Sequence, residues 1–145
     1  MKILITGSSG FIGFHLSKLL LVKGNTIHGI DSMNNYYDVN LKKARLKILL
    51  KYKKFSFSKI NLENNKKIEN IFKKFKPKIV IHLAAQAGVR YSIDKPRVYL
   101  KSNIDGTFNV IESSHKIGVK HLIMASSSSV YGANKKIPFK EIDKT

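Results

Sequence analysis

One stretch, Ile3-Leu4-Ile5-Thr6-Gly7-Ser8-Ser9-Gly10-Phe11-Ile12-Gly13, limits the folds open to this chain more than any other. Its short apolar run fits a buried strand. The run breaks at Gly7, and Phe11-Ile12 then opens an amphipathic helix. Glycines at 7, 10 and 13 make G-x-x-G-x-x-G, one residue longer in its first gap than G-x-G-x-x-G. Gly7 permits a tight strand-to-helix turn. Gly10 lets backbone N–H groups approach a pyrophosphate, and Gly13 lets the helix pack close to the strand. The helix N-terminus turns its positive dipole end toward the phosphates. A strand before the glycines and a helix after them make this a nucleotide-binding turn rather than a bare glycine-rich loop.

The remaining pattern alternates. Strands are expected at Lys2–Thr6, Thr26–Ile30, Phe55–Ile60, Ile79–Leu83 and His121–Ala125. Helices are expected at Phe11–Lys23, with Ile12, Leu16, Leu19 and Leu20 near helical spacing, at Val39–Tyr52, and at Asn64–Phe75 with Ile68, Ile71, Phe72 and Phe75 on one face. A long helical stretch covers Val98–Gly118, where Ile104, Phe108, Val110 and Ile111 are apolar. Gly24-Asn25 ends the first helix as a glycine cap would. The lysines of Val39–Tyr52 read as a solvated face. Alternation of this kind predicts an α/β chain with a Rossmann-type doubly wound parallel sheet, strand order 3-2-1-4-5. The glycine turn, Asp31, Ala84–Gly88 and Ser126–Ser129 then all fall at the carboxyl ends of strands, where such sheets bind ligands.

Asp31 follows Gly13 by 18 residues and closes the second strand. An acid there accepts hydrogen bonds from the adenosine ribose hydroxyls and repels a 2′-phosphate, which favours NAD over NADP. The residues that follow at once, Ser32-Met33-Asn34-Asn35, include no Arg or Lys.

The length of 145 residues suggests a single domain, with 43% hydrophobic and 25% charged residues, a globular composition. The chain has no cysteine, so it can form neither a disulfide nor a Cys-based metal site, and no metal is expected. No apolar run approaches the ~18 residues of a membrane span, and no signal peptide is visible; the reading is cytoplasmic. The net charge of +18 comes from basic residues spread over Lys42–Lys54, Lys59, Lys66–Lys78 and Lys135–Lys144. These are not interleaved with aromatics as in a nucleic-acid module, so no specific nucleic-acid partner is expected.

The chain resembles the extended short-chain dehydrogenase/reductase superfamily, in its NAD-dependent epimerase/dehydratase branch. The resemblance rests on Thr6-Gly7-x-x-Gly10-x-x-Gly13, Asp31, His82-Leu83-Ala84-Ala85, Asn103, and Ser126–Ser129 before Val130-Tyr131-Gly132. More narrowly the chain is similar to UDP-glucuronate 4-epimerases, through Tyr36-Tyr37-Asp38, Gln86 to Ser92 and Ala125–Asn134. The resemblance covers the amino-terminal part of such an enzyme, and the sheet is expected to stop after strand five, with that strand's edge open. It implies NAD contacts at Gly7, Ser9, Gly10, Phe11, Ile12, Gly13, Asp31, Asn34, Asn61, Leu62, Leu83, Ala84, Ala85, Gln86, Asn103 and Ser126. Asn61 stands where the family usually has an acid beside the adenine.

The implied chemistry is hydride removal and return at C4 of a UDP-sugar, with UDP-glucuronate favoured. Ser127 matches the hydroxyl that orients the 4-hydroxyl and donates to a developing oxyanion. Arg90, Ser128 and Ser129 match substrate positions. Ser128 and Ser129 stand where dehydratases of the family carry an acidic pair, so 4,6-elimination is not expected. The family's base and its partner occupy a Tyr-x-x-x-Lys helix. Tyr91–Lys95 and Tyr131–Lys135 fit that pattern but not its helical geometry, because Lys95 precedes Pro96 and Gly132 follows Tyr131. Little or no turnover is therefore expected from the chain alone. Other readings stay open: a non-catalytic nucleotide- or partner-binding module completed by another chain, a UDP-hexose 4-epimerase, or a basic protein binding RNA through its lysines. The resemblance implies a homodimer for the whole enzyme, of whose dimer helices this chain carries only part.

Overall fold

The computed structural model describes residues 1–144. Five strands, β1 (Lys2–Thr6), β2 (Thr26–Asp31), β3 (Phe55–Lys59), β4 (Ile79–His82) and β5 (His121–Met124), form one sheet in the order β3-β2-β1-β4-β5. All four pairings are parallel: Ile3 lies opposite Ile27 and Ile79, Phe55 opposite Ile27, and His121 opposite Ile79. Fold class and strand order are as the alternation predicts, with strand ends differing by one residue. Among the described residues β5 has no second strand neighbour.

Period-two alternation divides the core between the two faces of the sheet. Ile3, Ile5, Ile27 and Ile81 point to one face, where α1 (Phe11–Val22) and α2 (Val39–Leu49) supply Phe14, Leu21 and Leu49. Leu4, Ile30 and Val80 point to the other, where α3 (Asn65–Phe75) supplies Ile68 and Phe72, and α6 (Gly106–Ile117) supplies Val110. Ile68 and Phe72 are fully buried, each worth about 1.5–3 kcal/mol relative to exposure. Asn64 caps α3 by accepting from Lys67 N at 3.1 Å, and Asp38 caps α2 by accepting from Asn40 N at 2.8 Å.

Two expectations change. On α1 the buried residues are Gly13, Phe14, Ser17 and Leu21, with Leu16 and Leu20 packed against the core as expected, whereas Ile12 and Leu19 are 64% and 52% exposed. At its start the helix lies so close to the glycine turn that Gly13 has no room for a side chain. On α2, which ends at Leu49 rather than Tyr52, Lys42 is buried rather than solvated, because its ammonium has partners inside. The stretch from Val98 to Gly118 is helical as expected, without a break as far as Ile117, and its backbone stays right-handed through both internal junctions. It comprises α5 (Pro96–Tyr99), a π-helical segment Leu100–Asp105 and α6, with Ile104, Phe108 and Ile111 exposed and Val110 buried. A short helix α4 (Val89–Asp94), absent from the sequence reading, precedes them.

Candidate functional site

Residues from four βα connections meet at the carboxyl ends of β1, β2, β3 and β4. Gly7 sits at φ +71°, where its N–H donates to Ile30 O at 2.7 Å, and Gly10 N donates to Gly7 O at 2.9 Å. A Cβ on Gly7 would lie 3.0 Å from Ala84 N, and one on Gly13 would lie 2.1 Å from Gly7 O. The α1 N-cap is Gly10, and no side chain caps the helix. The first-turn amides, which lack intrahelical partners, are therefore left for an external acceptor.

Asp31 is buried at the end of β2. Its Oδ2 accepts from Ser9 N at 3.1 Å and its Oδ1 from Met33 N at 2.8 Å. This ties the acid directly to the glycine turn. Lys42 approaches Oδ1 at 4.0 Å, donates to Asn34 O and Oδ1 at 3.1 and 2.7 Å, and lies 4.5 Å from the centroid of the Tyr37 ring. Burial pushes the Lys42 ammonium below its ordinary range, and the Asp31 charge pulls it back. Arg45 donates to Ser9 O at 3.5 Å and to the Tyr37 hydroxyl at 3.4 Å.

A second buried network fixes the β4 end. Thr6 Oγ1 accepts from Leu83 N and Ala84 N, each at 3.1 Å. With both lone pairs used, its proton goes to His82 Nδ1 at 2.7 Å. His82 therefore carries its own proton on Nε2 and donates to Thr107 Oγ1 at 2.9 Å. Burial lowers the His82 pKa to about 4, in keeping with this neutral ring. Asn103, on the π-helical segment, clips the next residues: Oδ1 accepts from Gln86 N at 2.7 Å and Nδ2 donates to Gln86 O at 3.0 Å. Asn103→Ala removes both bonds and is expected to cost about 2 kcal/mol in urea denaturation. A loss below about 0.5 kcal/mol would show that the clip contributes nothing.

The loops after β2 and β4 also touch one another. The Tyr36 and Tyr91 rings lie 5.1 Å apart between centroids, and Tyr91 lies 6.3 Å from Tyr99. The Tyr99 hydroxyl shares its single proton between Ala87 O, at 2.7 Å, and Gly88 O. Gly88, at φ +101°, takes a conformation that favours glycine, and a Cβ there would stand 2.2 Å from the Tyr36 hydroxyl and push that ring aside. Strands β2 and β4 flank β1, so this contact joins the loops on either side of the glycine turn.

The cleft so formed, about 330 Å³, brings together Gly7, Gly10, Asp31, Asn34, Asn61, Leu62, Leu83, Ala84, Ala85 and Gln86. Ser9 and Gly13 are buried behind the turn, and Phe11 and Ile12 are exposed beside it. Asn103 acts here through Gln86. The structure does not bring Ser126, Ser127, Ser128, Ser129 or Arg90 into this cleft. Ser127 Oγ accepts from Ser129 N at 3.3 Å, and Ser128–Tyr131 form a 3₁₀ turn. Lys95 leaves helical geometry at φ −133°, ψ 56°, and Gly132 turns to φ 57° after Tyr131, so neither Tyr-x-x-x-Lys pattern occupies one helix face. The sequence reading missed Lys42, Thr6, Thr107 and the cleft-lining Ser32, Glu63, Val98, Lys101 and Ser102. Only Thr6 had carried a signal, as part of the glycine motif. Among the described residues no helix is long and apolar enough to cross a membrane, and no cluster of three or more His, Asp or Glu forms a metal site.

Residues 4–145 match the family model described as GDP-mannose 4,6 dehydratase. Protein CapI of Staphylococcus aureus is 52% identical over 143 residues, 99% of this chain and 42% of that protein. A probable UDP-glucuronate 4-epimerase of Rhizobium meliloti is 46% identical over 144 residues, again 99% of this chain and 42% of the relative. The crystal structure of UDP-glucuronic acid 4-epimerase from Bacillus cereus, in complex with UDP-glucuronic acid and NAD, superposes with a TM-score of 0.86 at 33% identity, over 94% of this chain and 43% of that one. The chain thus spans less than half the length of these relatives.

Proposed function

Since the chain belongs to the GDP-mannose 4,6 dehydratase family, which bears out the epimerase/dehydratase resemblance in its sequence, we propose that residues 1–145 are the amino-terminal part of the NAD-binding domain of a UDP-sugar 4-epimerase, with UDP-glucuronate the favoured substrate. The observation that carries this reading is the junction of the glycine turn with Asp31. Bare backbone at Gly7 and Gly10, an uncapped helix start and a buried carboxylate share one cleft. That donor and acceptor set fits an adenosine diphosphate: amides for the pyrophosphate, a carboxylate for the ribose hydroxyls. Asn34, Asn61 and Leu62 would border the adenosine, and Leu83, Ala84, Ala85 and Gln86 the other half of the cofactor. NAD, when bound, supplies a reversible hydride acceptor for sugar C4.

Ser127 would orient the sugar hydroxyl, and Arg90, Ser128 and Ser129 would contact substrate. Epimerisation is favoured over dehydration because Ser128 and Ser129 supply no acid and base for an elimination. Among the described residues no tyrosine and lysine share a helix face toward the cleft, so the proton-transfer pair is expected from outside them.

Isothermal titration calorimetry on the 145-residue protein tests the reading. NAD is expected to bind, and Asp31→Ala to weaken it at least about tenfold, as loss of hydrogen bonds to a charged acceptor requires. No uptake of NAD by folded protein would overturn the proposal. The same preparation is expected not to convert UDP-glucuronate, and measurable turnover would refute the assignment of the proton-transfer pair to other residues.

A further inference from the structure

An acid at the end of the second strand reads as exclusion of a 2′-phosphate, and the residues just after it hold no cation to offset that. The fold supplies one from farther along the chain. Lys42, one turn into α2, is 5% exposed and stands 4.0 Å from Asp31 Oδ1. Two of its three ammonium hydrogens are used on Asn34 O and Oδ1, and Asn34 lines the cleft. The third has no oxygen acceptor at hydrogen-bond distance: the ammonium stands 4.5 Å from the centroid of the Tyr37 ring, and the nearest carboxylate is that of Asp31. Arg45 adds a second cation on the same side, bonded to the carbonyl of Ser9, whose N–H holds the other Asp31 oxygen.

We infer that Lys42 is a cofactor-specificity residue: the chain contains a 2′-phosphate site already built, masked by the single charge of Asp31. This rests on the NAD reading above. With Asp31 neutral, the Lys42 charge, held behind the cleft-lining Asp31 and Asn34, loses its carboxylate beside the place proposed for a ribose 2′-substituent. A 2′-phosphate supplies the acceptor oxygens and the charge that Lys42 then lacks. No basic residue need be introduced.

The experiment compares NAD and NADP binding by calorimetry in the 145-residue protein and in Asp31→Asn, which keeps the side-chain size and an oxygen for Met33 N. Asp31→Asn is expected to bind NADP at least tenfold tighter than the parent does, and NAD about tenfold weaker. Adding Lys42→Met is expected to remove the NADP gain, and Lys42→Gln, which keeps a polar group for Asn34, to do the same if the methionine variant does not fold. The gain should shrink as salt rises, as a charge contact does. Loss of NAD binding in Asp31→Asn with no gain for NADP would overturn the inference. So would a gain that persists without Lys42, since relief of repulsion alone would then account for it. If the parent binds neither dinucleotide, the NAD reading itself has failed, and that result is distinct from both.

Discussion

Gly13→Ala is expected to lower the melting temperature by about 10 °C and to abolish NAD binding. The added methyl would stand 2.1 Å from Gly7 O, 2.8 Å from Gly7 C and 3.0 Å from Ser8 Cα. All three are backbone atoms of the turn itself, so no side chain can swing aside. Either α1 lifts from β1 or the turn opens, and both undo the site. Overpacking of a well-packed position costs about 1–3 kcal/mol when side chains can adjust, and a backbone clash belongs at or above the top of that range. At about 2–4 °C per kcal/mol for a chain of this size, the shift is near 10 °C. Gly24→Ala is the control. Its Cβ would meet nothing, so only the strain of φ +82° remains, roughly 1–2 kcal/mol. A Gly13→Ala protein that melts within about 2 °C of the parent would show that α1 and the turn are not held as described.

The second large effect is acid destabilisation through His82. Its pKa is about 4 in the fold against an ordinary 6.5, because burial disfavours the charged ring. Between those values the unfolded chain binds more protons than the folded one, so stability falls as pH falls. The contribution is fully present above pH ~6.5, is lost progressively toward pH ~4, and amounts to about 3 kcal/mol by the end of that window. His28, bonded to Ser56 and Ser58 and also lowered by burial, acts in the same direction. Glu69 is lowered chiefly by its hydrogen bond from Lys116 and loses its contribution only as pH drops below the ordinary carboxylate value of 4.5. The interval from pH 6.5 to 4.5 therefore isolates the histidines. Urea denaturation at pH 7.5 and 5.0 measures the effect. The parent is expected to lose about 1–2 kcal/mol between them. His82→Asn should be less stable at pH 7.5, with Thr6 or Thr107 left without its partner, and should show a flatter pH response. An unchanged slope in His82→Asn would assign the acid sensitivity elsewhere.

The sheet was legible because its signals are local. Apolar strand runs, the glycine turn and the cap at Gly24-Asn25 each declare themselves within a few residues, and parallel order follows from alternation. Asp31 was legible for the same reason, by its distance from the glycines. The face of α1 was legible only in part. The helix is apolar nearly all round, from Phe11 to Val22, and its buried stripe takes in Gly13 and Ser17 rather than Ile12 and Leu19. Lys42 was hidden among solvated lysines, since only the fold reveals that its ammonium reaches Asn34 and Asp31. The bond between Thr6 and His82 spans 76 residues, and nothing in either neighbourhood announces it. The π-helical segment that aims Asn103 at Gln86 has the same apolar spacing as an ordinary helix.

The tyrosine contact over the glycine turn bears on how chimeras of this domain could be assembled. Tyr36 and Gly88 belong to different crossover units, yet the hydroxyl of one fills the space that any side chain on the other would need. Grafting residues 32–38 or residues 86–99 alone from a donor with a larger residue at 88, or a different reach at 36, would pit old against new. Moving the two segments together avoids a readjustment of Tyr36.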